Sequence, residues 1–304
     1  MFIEEQLQHL RRDRFSLPAL VRYVRAVAGQ VRAGWDANPS AVRSVWSVAL
    51  MFFAADFVAA ASLAVRFGAR FGVDFFLATA LIILLAFAMV SFSVALLRDH
   101  QGFRLSALNL PTMITLLRVA LLPGLVLFLL DRHFALALAT FAIAALSDVA
   151  DGWLARRWDQ CTPLGRVLDP IVDIGFTLGV FAALFAAELV PAWVFAMVML
   201  RYGILIMGGT SLYLFVGPVK IQPTTFGRMT GVVMSFLIGL LALLHIVHRP
   251  LAEKLLPLTE TALGVLMAAT VVHVLVLGWY NLRLMTGRAE AQGRVVGDVR
   301  WGGS

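Results

Sequence analysis

Apolar residues fall along the chain in long unbroken blocks separated by short polar connections. Eight blocks lie near 44–65, 74–97, 111–130, 134–155, 167–188, 191–216, 229–247 and 260–282. Each is close to or beyond the roughly 20 residues that carry a helix across a bilayer. Several connections hold the helix breakers proline or glycine, as at Pro191, Gly217-Pro218 and Pro250. No run of ten-residue segments with alternating polarity suggests a membrane barrel. The pattern predicts an all-α polytopic membrane helix bundle.

Ahead of the first block the period changes. Leu17, Leu20, Val21, Val24, Val27, Ala28 and Val31 recur at helical spacing, with Arg22, Arg25 and Arg32 on other faces. Residues 1–43 hold seven arginines (Arg11, Arg12, Arg14, Arg22, Arg25, Arg32 and Arg43) against four acids. Such a segment is expected either to lie on an anionic membrane surface or to pack as a short cytosolic helix against the bundle. A cleavable leader would put its apolar region much nearer Met1, so none is expected. At the other end, 286–304 carries Gly287, Gly293, Gly297 and Gly302 among mixed charges and reads as a flexible tail.

Composition removes the soluble alternatives. Of the 304 residues, 61% are apolar and 14% charged, against about 45–50% and about 25% in soluble domains. Disorder, a coiled coil and a disulfide scaffold fail on the same numbers. A single cysteine, Cys161, leaves no internal disulfide to form. The net charge of +7 would suggest nucleic acid in a soluble protein, but here it matches basic loops on one membrane face, and no nucleic acid is expected. With both termini in the cytoplasm, eighteen Lys and Arg fall on that side and five on the other. That bias predicts a cytoplasmic orientation for both termini.

Acidic residues inside spans are costly unless paired, hydrated or metal-bound. Asp56 stands alone in the first block and suggests no chemistry. Four others cluster: Asp148 and Asp151 near the end of the fourth block, Asp169 and Asp173 near the start of the fifth. Spacings of three and four put each pair on one helix face. Consecutive antiparallel helices then let all four carboxylates converge near the cytoplasmic boundary, with Arg156 and Arg166 as nearby counter-charges. An all-oxygen site without Cys or His suits hard divalent cations, Mg²⁺, Mn²⁺ or Ca²⁺. Four acids can hold two ions that share a ligand, the arrangement that clamps phosphoryl groups. Gly152 and Ala155 share the Asp148 face and leave room for a ligand, although small residues also serve helix packing.

As one string, Asp148-x2-Asp151-Gly152-x2-Ala155-Arg156-x8-Gly165-x3-Asp169-x3-Asp173 resembles the signature of the CDP-alcohol phosphotransferase family at every fixed position. The segment from Asn109-Leu110-Pro111-Thr112 through Thr115 to Arg118 is similar to the motif that opens the family's domain. The resemblance spans six blocks. It divides the chain into a basic interfacial segment (1–43), two extra transmembrane helices (44–100), a six-helix catalytic domain (101–285) and the tail. It implies a membrane enzyme, usually a homodimer, that splits a CDP-linked substrate, joins the phosphoryl-bearing part to a hydroxyl acceptor and releases CMP. It also implies two divalent cations, Mg²⁺ or Mn²⁺, held by Asp148, Asp151, Asp169 and Asp173, with Asp151 bridging and Asp173 as general base. Gly152, Ala155, Arg156, Gly165, Asn109 and Thr115 would hold the nucleotide, and Arg118, Arg201 and Arg228 the acceptor.

Within the family the chain looks most like the phosphatidylglycerophosphate and cardiolipin synthases, which use CDP-diacylglycerol. It departs from them at Ile174, at Tyr202 and across Gly227-Arg228-Met229-Thr230-Gly231, where they commonly carry Lys, Glu and a Gly-Lys-x-Lys-Thr loop. The expected reaction moves a phosphatidyl group from CDP-diacylglycerol to a small polyol phosphate, glycerol 3-phosphate first. Alternatives are transfer from CDP-choline or CDP-ethanolamine to diacylglycerol, a transporter, or a scaffolding subunit without turnover.

Overall fold

The computed structural model describes residues 16–215, 225–246 and 249–298. Nine helices dominate the described residues: α1 (Leu17–Ala37), α2 (Pro39–Phe67), α3 (Ala69–Phe92), α4 (Leu110–Leu130), α5 (Phe134–Arg157), α6 (Pro163–Ala186), α7 (Ala192–Phe215), α8 (Thr225–Leu244) and α9 (Arg249–Asp298). The described residues form no strand, only an isolated bridge between Arg98 and Arg104. Seven helices, α2 to α7 and α9, are long and apolar enough to cross a membrane. The block predicted at 229–247 corresponds to α8, whose apolar part, Met229–Leu244, is shorter than the rest.

Two boundaries differ from the sequence reading. The block expected over 74–97 is α3 ending at Phe92, followed by a 3-10 turn over Val94–Leu96. Val94 and Leu97 are buried, so their apolarity serves protein packing and not a lipid crossing. The tail expected to be flexible from residue 286 continues as helix to Asp298, because Arg288-Ala289-Glu290-Ala291-Gln292 are strong helix formers that outweigh Gly287 and Gly293. Arg11, Arg12, Arg14, Lys220, His248 and Arg300 lie outside the described residues.

The chain divides into two compact units, Met1–Val190 with Gly239–Leu256, and Pro191–Ile238 with Pro257–Ser304. In the first, Asn38 starts α2. Its side chain accepts from the Ala41 amide at 3.3 Å while its own amide donates to the Leu105 carbonyl at 2.8 Å, and Pro39 fills a helix position that needs no N–H donor. Gly68 alone joins α2 to α3 at φ +100°, a conformation side chains disfavour. At Gly72 a Cβ would come within 2.7 Å of the Ala60 carbonyl oxygen, so the missing side chain lets the hairpin close.

That hairpin packs on the rest of the unit through one apolar cluster. Val45 and Ala49 of α2 and Ile83, Phe87 and Val90 of α3 meet Leu116 of α4 and Leu164, Leu168 and Val172 of α6. The three α6 residues recur at i, i+4 and i+8, one turn apart on one face. Each directly precedes Gly165, Asp169 or Asp173. The apolar stripe of α6 thus enters a buried cluster shared with α4, the 3-10 turn and the hairpin, while the adjacent stripe carries the acids. Asp56, within α2, is buried and neither carboxylate oxygen has a hydrogen-bond partner.

In the second unit, α7 packs its Trp193 indole where Gly264 of α9 has no side chain. Phe226 of α8 meets His273 of α9, with ring centres 4.6 Å apart.

Candidate active site

The site forms where α4 and α6 begin and α5 ends. Asn109, just before α4, donates to the Gln160 carbonyl at 2.9 Å and accepts from Thr112 Oγ1 at 2.5 Å. The start of α4 is therefore tied to the α5–α6 loop. Thr162 in that loop caps α6 by accepting from the Gly165 amide at 3.0 Å. Pro170 within α6 has no N–H for the Arg166 carbonyl one turn back.

Two side chains of α4, one turn apart, gather the four carboxylates. Thr115 Oγ1 lies 3.0 Å from Asp151 Oδ2 and 3.3 Å from Asp169 Oδ1. It also lies 3.1 Å from the Pro111 carbonyl, and its single hydroxyl proton serves one of these acceptors at a time. Arg118 Nη2 bonds Asp148 Oδ1 at 2.6 Å and Asp151 Oδ2 at 2.7 Å, while its Nη1 bonds Asp173 Oδ1. The Arg118 side chain is only 4% exposed and that of Asp151 10%, whereas Asp148 and Asp173 stay more than half exposed. Asp151 forms the floor and the other acids its open rim.

The convergence expected from spacing is therefore present, but the counter-charge differs. Arg156 and Arg166 were the expected cations, and Arg118 is the one in contact. Four carboxylates face one buried guanidinium, so negative charge remains in excess. Among the described residues, no group of three His, Cys, Asp or Glu side chains stands gathered closely enough to hold a metal ion. The physical reason is that three of the carboxylates are turned toward Arg118. In donor chemistry and surplus charge the residues fit a hard divalent cation; the guanidinium must yield carboxylate oxygens for one to bind.

Beside the acids lies a small open cleft. Asn109, Thr115, Gly152, Ala155 and Gly165, all expected at a nucleotide, line it together with Asp151 and Asp169. The sixth expected residue, Arg156, leans back along α5, where a Cβ on Gly152 would lie 3.3 Å from its Nη1. At Gly165 a Cβ would lie 3.4 Å from Thr162 Oγ1 and 4.0 Å from Asp169 Oδ2. Glycine keeps that wall open.

Thr112, Gln160, Cys161, Thr162 and Arg166 also line the cleft, and only Arg166 had been singled out, as a counter-charge. The buried Gln160 Oε1 has no hydrogen-bond partner. The polar run Asp159-Gln160-Cys161-Thr162 between two apolar blocks was the one cue in the sequence. Of the expected acceptor residues, Arg118 lies among the acids. Arg201, on α7 in the second unit, stacks its guanidinium 4.9 Å from the Tyr202 ring centre. Arg228 is on α8, and its side chain is outside the described set.

Long apolar helices and a cleft that opens beside four clustered carboxylates, two of which line it, fit a membrane enzyme. The family model for CDP-alcohol phosphatidyltransferase matches residues 108–280. The chain belongs to that family. It is an integral membrane protein and a transferase, in a family that generally uses a divalent metal.

Relatives agree. A CDP-diacylglycerol–glycerol-3-phosphate 3-phosphatidyltransferase of Aquifex aeolicus is 30% identical over 132 residues, 42% of this chain and 72% of that protein. The Escherichia coli K12 protein of the same name is 51% identical over 69 residues, 21% of this chain and 37% of its own length. The human CMP-forming cardiolipin synthase is 36% identical over 84 residues, 27% and 28% of the respective chains. The chain thus spans well under half of the last two. No solved structure matches significantly.

Proposed function

We propose that the protein transfers a phosphatidyl group from CDP-diacylglycerol to a small polyol phosphate, glycerol 3-phosphate being the first candidate, and releases CMP in phospholipid synthesis. The carrying observation is the junction of the four carboxylates on Thr115 and Arg118 with a cleft walled by Gly152, Ala155 and Gly165. The names of the Aquifex aeolicus and Escherichia coli relatives support the donor and the acceptor.

In this reading the nucleotide end of the donor enters the cleft against the small residues, and Arg156 and Arg166 neutralise its phosphates. Asp148, Asp151, Asp169 and Asp173 would hold two ions, Mg²⁺ or Mn²⁺, which supply charge neutralisation on the phosphoryl group and the departing CMP. Asp173, on the open rim, takes the acceptor's hydroxyl proton. The freed oxygen bonds to the phosphorus carrying the diacylglycerol, and the bond from that phosphorus to the CMP oxygen breaks. Arg118 holds Asp173 until substrates arrive and must release it for proton transfer.

The basic bias of one set of loops supports a cytoplasmic side for both termini and the cleft, and the family resemblance supports a homodimer. Purified protein in lipid nanodiscs, given CDP-diacylglycerol, Mg²⁺ and a panel of polyol phosphates, should release CMP with at least one acceptor. No CMP with any acceptor rejects the reading. CMP release from CDP-choline with diacylglycerol, but not from CDP-diacylglycerol, would replace it with the reversed pairing.

A further inference from the structure

The first helix packs against the protein at Ala19, Gly34 and Trp35, while a further apolar stripe meets none of the described residues closely enough to be buried. Ala19 is buried, and Gly34 sits so close to Ala95 that a Cβ would lie 3.4 Å from its methyl. At the end of the helix, Trp35 Nε1 donates to the Ser91 carbonyl at 2.7 Å and its ring stacks on Phe92 at 5.9 Å. Arg104 Nη1 closes over the Ala37 carbonyl at 2.9 Å. These contacts fix α1 at the level where α2 starts and α3 stops. A single residue, Asn38, separates α1 from the span of α2, so α1 cannot stand away from that boundary.

Over the first turns of the helix, ahead of Trp35, a second face is exposed. Leu17 is 77%, Leu20 45%, Val21 54% and Val24 60% exposed, and these positions at i, i+3, i+4 and i+7 make one continuous stripe. Arg25 and Arg32, seven residues apart and both exposed, run along one border of it. Arg43, Arg98 and Arg104 lie exposed in the neighbouring segments, with Asp36 and Asp99 among them, and the carboxylate cluster lies at the same end of the unit. A bare apolar stripe bordered by arginines, held at a span boundary, matches the apolar-below, anionic-above layering of a headgroup region.

We infer that α1 is an interfacial helix that seats Leu17, Leu20, Val21 and Val24 in the acyl boundary and binds anionic phospholipid headgroups through Arg25 and Arg32. The inference does not depend on which reaction the site performs. The same end of the unit carries the carboxylate cleft, since Asn109 and Gln160 join α4 to the α5–α6 loop there while Asn38 holds Leu105. Anionic lipid gathered by α1 is therefore concentrated on the face of the membrane where the cleft opens.

A photo-crosslinking residue, p-benzoylphenylalanine, placed at Leu20 or Val24 of the full chain tests this in nanodiscs of zwitterionic lipid with or without an anionic phospholipid. Mass spectrometry should find lipid adducts at both positions and none at Ala33, on the opposite face. Anionic lipid should be enriched among the adducts over its share of the bilayer. Each basic residue near an anionic surface favours association by roughly fivefold, so the enrichment should fall by at least about fivefold in R25Q/R32Q. Adducts to a second copy of the chain, absence of any lipid adduct, or an enrichment unchanged in R25Q/R32Q would each overturn the proposal.

Discussion

Replacing Arg118 by Gln removes the one cation that, among the described residues, contacts the carboxylate cluster. Its side chain is 4% exposed and it bonds Asp148, Asp151 and Asp173 together. Deleting one partner of a buried ion pair costs about 3–5 kcal/mol, because the remaining charge is left uncompensated. Only Asp151 is comparably buried. The half-exposed Asp148 and Asp173 are screened by solvent and add at most about 1 kcal/mol each. Gln still donates one hydrogen bond, so a net loss near 3 kcal/mol is expected in chelator. A divalent cation can supply the missing charge, and binding at a hundredfold over its dissociation constant returns about 2.7 kcal/mol. The assay is the thermal midpoint of the detergent-purified protein with EDTA and with Mg²⁺, beside a Mn²⁺ titration. R118Q should melt well below the parent in EDTA and recover most of the difference in Mg²⁺. Freed of its internal competitor, the cluster should also bind Mn²⁺ more tightly, by roughly tenfold. R118K, which keeps charge but not the planar fork, should fall between. Equal midpoints in EDTA, or weaker Mn²⁺ binding by R118Q, would refute the reasoning.

Asp173→Asn should lower turnover by about 10²–10⁴-fold, the usual contribution of a general base, while CDP binding by calorimetry largely persists; joint loss of both would make Asp173 a ligand first. Gly165→Val should raise the KM for the donor by tenfold or more without moving the thermal midpoint, since its side chain enters the cleft beside Asp169; an unchanged KM would mean the donor lies elsewhere. Leu168→Ala, at a site 2% exposed, should cost about 2–5 kcal/mol and weaken Mn²⁺ binding, whereas Val167→Ala, half exposed on the neighbouring face, should do neither.

The convergence of Asp148, Asp151, Asp169 and Asp173 was legible in the sequence because helical periodicity alone fixes which face each acid shares. The apolar blocks were legible for the same reason, with errors where hydropathy has two causes: Val94 and Leu97 extend a block although they pack inside the protein. The role of Arg118 was not legible. A span with one arginine admits many partners, and choosing among them requires knowing that α4 lies against α5 and α6 at the depth of Asp151. Gln160 and Thr162 were hidden for a related reason, as a loop joins a cleft through closure in space and leaves no period along the chain. The outer face of α1 was half legible: its periodic residues were visible, but seven of them mixed two faces that only packing separates.

The two helices that precede the family's domain then acquire a physical purpose. Leu164, Leu168 and Val172 enter a buried cluster that they share with Leu116 of α4, with Val94 and Leu97, and with Val45, Ala49, Ile83, Phe87 and Val90 of the hairpin. Asp169 and Asp173 each sit one residue beyond a gripped leucine or valine, so a rotation of α6 that moved one stripe would move the other. Mutual repulsion among the carboxylates presses α6 to rotate, and Arg118 alone balances only part of it. Apolar burial on the reverse side resists that rotation without adding any charge to the cleft. The cluster, the hairpin included, therefore helps keep the acids aligned while leaving their surplus negative charge able to attract a cation.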